Sequence, residues 1–258
     1  MRIIPLASGS LGNATLVETA RTRFLIDAGL PIDELERRLQ SVGASPKSVD
    51  ALFVTHRHHD HIRAATAMAA RHRTRIWATP RTARALGSEA HRRIRRIAPL
   101  ESFVQDDLEL CAIPLSHDAP ETCALRVDDG HCRYGHATDL GVFDELLIDR
   151  LGLCEALLLE FNHDRALLAA GNDPPELKAR ILAPTGHLAN DDAAALLARL
   201  VHPRLRCVWL AHLSRRNNRP ALALAAARSA WTGDAPGSAA VRIEVAEQDR
   251  TSAEFLSS

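Results

Sequence analysis

Aromatic residues are scarce in this chain, with six Phe, three Trp and one Tyr among 258 residues. Lysine is scarcer: two (Lys47, Lys178) of the 32 basic residues. Cysteine gives five positions (Cys111, Cys123, Cys132, Cys154, Cys207), an odd number with no CxxC pair. That argues against a disulfide framework or a zinc ribbon and for reduced thiols, packed as small apolar residues in a cytoplasmic protein. No apolar run approaches the roughly 18–20 residues that cross a bilayer. The opening MRIIPLASGS lacks a long h-region and a small-residue cleavage site, so no secretory leader is expected. Nor is there a 20–50-residue repeat, or a Pro/Gly/Ser linker long enough to separate domains. With 46% apolar and 25% charged residues, one packed domain over 1–258 is expected. No feature marks an obligate protein partner.

Net charge is zero but unevenly spread. From Arg57 to Arg96 there are eleven Arg against two acids, whereas Ile97 to Glu160 holds fourteen acids against three Arg. One anion-attracting face would produce this pattern. So would solvated helix faces in a chain coded by an arginine-biased genome.

Short apolar runs come first in hairpins and later alternate with helical segments. IIPLAS, ATLVET and TRFLIDAG are expected strands, and PIDELERRLQSVG a helix with Pro31 in its first position. ALFVT, RIWAT, LELCAIPLS, CALRV, CRYGHATD, ALLLE, CVWLA and VRIEVA read as further strands. Helices are expected over IRAATAMAARH, from Thr79 and Pro80 through Arg-rich sequence to Ile97, and over 142–151, 164–182, 190–202 and 219–231. The fold class is therefore layered α/β.

Four of these strands end in a residue able to ligate a metal: LFVT in His56, AIPLS in His117, RYGHAT in Asp139 and VWLA in His212. Sites in layered α/β proteins gather where loops leave strand ends. One such histidine is most often a satisfied polar residue, but buried imidazoles and carboxylates in this number need partners. The loop HRHHDH adds the spacing H-x-H-x-D-H. In extended chain His56 and His58 point the same way and can hold one ion. A helix starting near Asp60 would turn Asp60 and His61 toward a second ion, and leave His59 pointing away. Imidazole and carboxylate donors suit Zn²⁺, Mn²⁺ or Fe.

Taken in chain order, LIDAG, HRHHDH, SH, TD and a late His resemble the metallo-β-lactamase-fold hydrolases. That resemblance implies a four-layer αββα sandwich of two mixed sheets holding two divalent ions. It places His56, His58 and His117 on one ion, Asp60, His61 and His212 on the other, and Asp139 between them, with Asp27 in a supporting role. Of the late histidines His163, His187 and His212, the last directly ends a strand and is read as the ligand. His187, in a Gly turn before a helix that Asn190 or Asp191 could cap, is read as a catalytic group.

SGSLGN, GHLAND and HLSRRNN further resemble the YycJ/WalJ-like subgroup, which implies 5′→3′ digestion of DNA by a metal-bridging hydroxide. GHL with HLS also resembles the tRNA 3′-processing endonucleases, whose GH histidine assists the leaving group; His187 takes that role here. Asp60 is the expected proton acceptor. Ser10, Asn13, His163, Arg215 and Asn218 are expected substrate contacts, the turn Ser8–Asn13 by offering backbone N–H groups to phosphate. Arg216, Arg219 and the arginines of 63–96 could add phosphate contacts. Three positions depart from the subgroup: Phe161 and Ala189 replace Ser, and His136 is either an outward strand residue or an added acid/base. Two-metal chemistry also serves thioesters, so a hydroxyacylglutathione-type thioesterase is the alternative.

Overall fold

Most strands are buried on both faces, so they read as unbroken apolar runs with little polar alternation. In ALLLE all five residues are buried. Ala156 and Leu158 pack toward the opposing sheet, and Leu157 and Leu159 toward helices. This computed structural model describes residues 1–87, 91–230 and 241–257.

One seven-stranded sheet has the order β14 (Phe255–Leu256), β1 (Arg2–Ala7), β2 (Ala14–Glu18), β3 (Arg23–Ile26), β4 (Ala51–Val54), β5 (Arg75–Ala78), β6 (Ile94–Arg96). The other runs β13 (Arg242–Val245), β12 (Cys207–Ala211), β11 (Ala156–Glu160), β10 (Arg133–Ala137), β9 (Cys123–Asp128), β8 (Leu108–Pro114), β7 (Ser102–Gln105). Each is mixed: β3 to β6 and β10 to β13 are parallel, the remaining neighbours antiparallel.

Phe24, Phe53, Leu110, Leu125, Tyr134 and Trp209 fill the layer between the sheets. Helices α1 (Ile32–Ser41), α3 (Ala65–His72) and α4 (Pro80–Ala85) cover the outer face of the first sheet. The outer face of the second is covered by α5 (Glu145–Leu151), α8 (Asn190–Leu200) and α9 (Pro220–Ser229). Three short helices, α2 (His59–Ile62), α6 (Arg165–Ala170) and α7 (Pro175–Leu182), lie in the connecting segments. The αββα sandwich is thus present.

Several elements differ from the sequence reading. Residues 94–96 form an edge strand parallel to β5; only Ile94 is buried, and the exposed Arg95 and Arg96 leave no period to distinguish strand from helix face. The segment 164–182 is two helices, because Gly171 to Pro174 interrupts it. Asp144 caps α5 by accepting from the Leu147 N–H, so that helix begins at Glu145. Pro31 is the residue just before α1. The last position expected of the helix 219–231 lies outside the described residues. Strands β7 and β14 carry little apolar signal and were not foreseen.

Candidate metal and active site

β3 and β4 in one sheet and β10, β11 and β12 in the other deliver Asp27, His56, Asp139, Glu160 and His212 at or just after their carboxyl ends. His117 follows β8, and α2 carries Asp60 and His61. Asp27, Asp139 and His212 all sit at positive φ (62°, 63° and 55°), a region L-residues seldom adopt. Such backbone strain gathers where a side chain must be aimed against local preference.

The expected ligands come together in overlapping groups whose candidate donor atoms lie within 4.8 Å of one another. They are His56 with His58 and His117, Asp60 with His61 and His212, and His56 with His61 and Asp139. Asp139 is central, 3.2 Å from His61 Nε2, 3.6 Å from His212 Nδ1 and 3.9 Å from His117 Nε2. His59 is exposed.

Ring orientation is set from outside the cluster. His61 Nδ1 meets Asp27 Oδ2 at 2.7 Å, and His56 Nδ1 meets Thr55 Oγ1 at 3.1 Å. His117 Nδ1 lies 3.2 Å from the Gly186 carbonyl, and His212 Nδ1 lies 2.9 Å from Glu160 Oε1. Each contact leaves Nε2 facing the centre, the arrangement by which carboxylates and carbonyls orient metal-binding imidazoles. Asp27 in turn accepts from the Thr55 N–H and hydroxyl.

Glu160 was missed by the sequence reading and is the hub of the far side. It is fully buried, its Oε1 2.8 Å from His187 Nδ1 and 2.9 Å from His212 Nδ1. Its Oε2 accepts from the N–H groups of Leu140 and Leu188 at 3.1 and 3.3 Å. One carboxylate therefore ties together the loop after Asp139, His187 and His212. The signal was present: ALLLE ends in an acid as the other strands end in a ligand.

Burial alone would push the Asp60 carboxyl up, but the imidazoles of His212 and His61 beside it hold it far below the usual range. For Asp139, too, burial is outweighed by His212 and His61. Glu160 falls to about 2, burial being overcome by His187 and then His212. Burial lowers His56 and His58, keeping both neutral as a metal requires. His61, His212 and His187 are raised despite burial, by Asp27, Asp139 and Glu160 respectively.

Nε2 of His56 and of His212 are buried without a hydrogen-bond partner in the protein. Buried polar atoms seldom go unpaired, and a cation among these donors satisfies both. The constellation therefore fits divalent metal.

The expected substrate contacts divide. Ser10 and Arg215 line a cavity of about 380 Å³ whose floor includes His187 and His212. Asn13 is only 4% exposed, and its amide reaches the Gly9 carbonyl and His61 Nε2. Asn218 is 3% exposed and donates to the carbonyls of Phe161 and Asn162. His163 is 1% exposed, its ring nitrogens without protein partners, and burial lowers it to about 4. All three are buried, whereas Ser10 and Arg215 reach the cavity.

Nor is the Ser8–Asn13 turn an open phosphate cradle. The N–H groups of Ser8, Gly9, Leu11, Gly12 and Asn13 already donate within the protein. None of the described residues lining the cavity comes from 63–96. His136 is neither outward nor near solvent: it is 3% exposed, its Nδ1 is 3.0 Å from the Tyr134 hydroxyl, and burial lowers it to about 4. The helix after His187 has no side-chain cap; Asn190 bonds Asn218 and Asp191 pairs with Arg165. Phe161 is wholly buried in the core on the outer side of the second sheet.

A two-sheet sandwich with histidines and carboxylates converging at its strand ends is the architecture of a metal-dependent hydrolase. The chain belongs to the β-lactamase superfamily, whose domain signature matches residues 22–212. It is 31% identical over 223 residues to exodeoxyribonuclease WalJ of Streptococcus pneumoniae serotype 2 (strain D39 / NCTC 7466), covering 83% of this chain and 81% of that protein. It is 30% identical over 224 residues to exodeoxyribonuclease YycJ of Bacillus anthracis, covering 84% of each. Its fold matches the metallo-β-lactamase fold protein YhfI from Bacillus subtilis with a TM-score of 0.73 over 98% of this chain and 99% of that one. At 15% identity that likeness speaks for fold alone.

Proposed function

We propose that the protein is a two-metal phosphodiesterase that digests DNA from an end, in the 5′→3′ sense. The observation that carries this is an arginine-bearing cavity opening directly over His187 and His212, with Arg180, Arg215 and Arg216 on its walls. Guanidinium groups match phosphate oxygens in geometry and charge. The exodeoxyribonuclease relatives support DNA as the polymer, and the scarcity of aromatics favours backbone contacts over base reading.

In this reading His56, His58 and His117 would hold one ion and Asp60, His61 and His212 the other, with Asp139 serving both. Zn²⁺, Mn²⁺ or Fe suits these donors. Bound there, the ions supply Lewis acidity and activated water at neutral pH. The chain's own groups do the rest. Asp60, beside His212 and His61, orients the attacking water and accepts its proton. Glu160 raises the proton affinity of the His187 ring, and with Nδ1 committed to that carboxylate, Nε2 is the nitrogen that delivers a proton to the departing oxygen. Five buried thiols among the described residues suit a reducing compartment, in keeping with a cytoplasmic enzyme. No helix among the described residues is long and apolar enough to cross a membrane.

The test is digestion of end-labelled single- and double-stranded DNA and RNA by Mn²⁺-loaded protein, with Asp60→Asn and His187→Ala alongside. Expected are loss of cleavage in both variants, full metal content in His187→Ala, and activity that falls with salt. Loss of one metal equivalent from His187→Ala would exchange the roles of His187 and His212. No cleavage by the loaded wild type would leave thioester hydrolysis as the reading to pursue.

A further inference from the structure

We propose that the cavity beside the metal cluster is the seat of the strand's terminal nucleotide, with the base against an aliphatic wall and the phosphate on arginines. This rests on the nuclease reading above and names where the end of the polymer is held.

Three aliphatic side chains line the cavity: Leu177 and Ile181 from α7, and Leu213 from the loop after β12. Leu177 and Ile181 are four residues apart and so share one face of the helix. None of α7's residues is buried, so this face is not part of a core. An apolar wall placed at the mouth of a charged site calls for a ligand with an apolar face of its own. Three cations line the same cavity: Arg180, also from α7, and Arg215 and Arg216 from the loop after β12. They are held ready by Asp118 at 2.6 Å, Asp249 at 3.1 Å and Asp173 at 2.6 Å. Their side chains are 58%, 55% and 79% exposed, and ion pairs this exposed are weak, so a phosphate can compete for them.

A ligand with an apolar planar group next to a dianion, reacting at a phosphodiester, is a nucleoside monophosphate unit. The cavity of about 380 Å³ is near the lower end of small-ligand sites, room for one nucleotide and not for a stacked run. Few aromatic residues are present to stack a base, and aliphatic contact is the remaining way to recognise one without reading its edges.

The same helix end also sets His187. The His187 N–H donates to the Ile181 carbonyl at 3.0 Å. Gly186 is so close that a Cβ there would lie 2.2 Å from the Ile181 carbonyl oxygen and 2.4 Å from that of Arg180. The wall that receives the base and the group that protonates the leaving oxygen therefore belong to one rigid turn.

The experiment compares strands whose digested end carries either a natural nucleotide or an abasic one, using the metal-loaded full chain. Wild type should show a KM about tenfold higher for the abasic end, the lower end of the range for apolar pocket contacts. In Leu177→Ala/Ile181→Ala the two KM values should converge. By calorimetry, wild type should bind a deoxynucleoside monophosphate about tenfold more tightly than deoxyribose 5-phosphate. Equal KM values in wild type, or full discrimination retained by the variant, would overturn the proposal. Failure to digest any strand would remove the nuclease reading instead. The calorimetric pair would then decide the cavity alone, equal affinities overturning it.

Discussion

Replacing Glu160 by Gln keeps the shape of the side chain and exchanges one acceptor oxygen for a donor. With the proton of each ring on Nδ1, every contact of Glu160 is a donor pointing at it: the rings of His187 and His212 on Oε1, the N–H groups of Leu140 and Leu188 on Oε2. The glutamine amide must therefore face either two rings or two backbone N–H groups, donor against donor. A buried group left unpaired costs about 1–3 kcal/mol, so a loss of about 3 kcal/mol is expected after relaxation. In a chain of this size that lowers Tm by about 6–12 °C. Because His212 and the Asp139 loop lose their orientation together, metal affinity should fall about 10- to 100-fold.

Scanning calorimetry and chelator competition read the two effects separately. A variant melting within about 2 °C of wild type, with unchanged metal affinity, would refute the organising role of Glu160. The pH arm has a definite sign. The carboxyl is depressed from its ordinary value of 4.5 to about 2. In metal-free protein that favours the fold by about 3 kcal/mol above pH 4.5 and is lost as pH falls through about 2. Glu160→Gln should lack this component.

Gly29→Ala should destabilise by at least about 3 kcal/mol and displace the metal loop, because its Cβ would lie 1.6 Å from the Asp60 carbonyl oxygen. An unchanged denaturation midpoint would contradict that close approach. Burial pushes the thiols of Cys123, Cys132 and Cys154 up to about 12 and that of Cys207 to about 11. All five cysteines are buried, so a thiol reagent at pH 8 should find almost none in native protein and five after denaturation. Rapid labelling of native protein would show a mobile or open core.

Much of the metal cluster was readable because each expected ligand sits in HRHHDH or just beyond an apolar run. A strand followed by a polar residue is a local pattern, and strands of one sheet end at a common edge by geometry. Glu160 obeyed the same rule but looked like the ordinary end of a strand. The burial of Asn13, His163 and Asn218 was hidden for the opposite reason. Polar residues in glycine- and asparagine-rich turns look like ligand contacts, and nothing local announces that Asn13 reaches His61, or Asn218 the Phe161 carbonyl, from far along the chain. The outward reading of His136 failed because its strand's second buried face is invisible until the sheets stack.

The order of apolar runs and the spacing H-x-H-x-D-H, by themselves, determined the layered fold, the gathering of histidines and aspartates at its strand ends and the outward turn of His59. These depend on periodicity over a few residues. Only the tertiary structure decided that one glutamate joins His187 to His212, that three expected contacts are buried, and that α7 lines the cavity beside it. Those facts depend on which distant segments close the space between two sheets, and that is settled by packing across the whole chain.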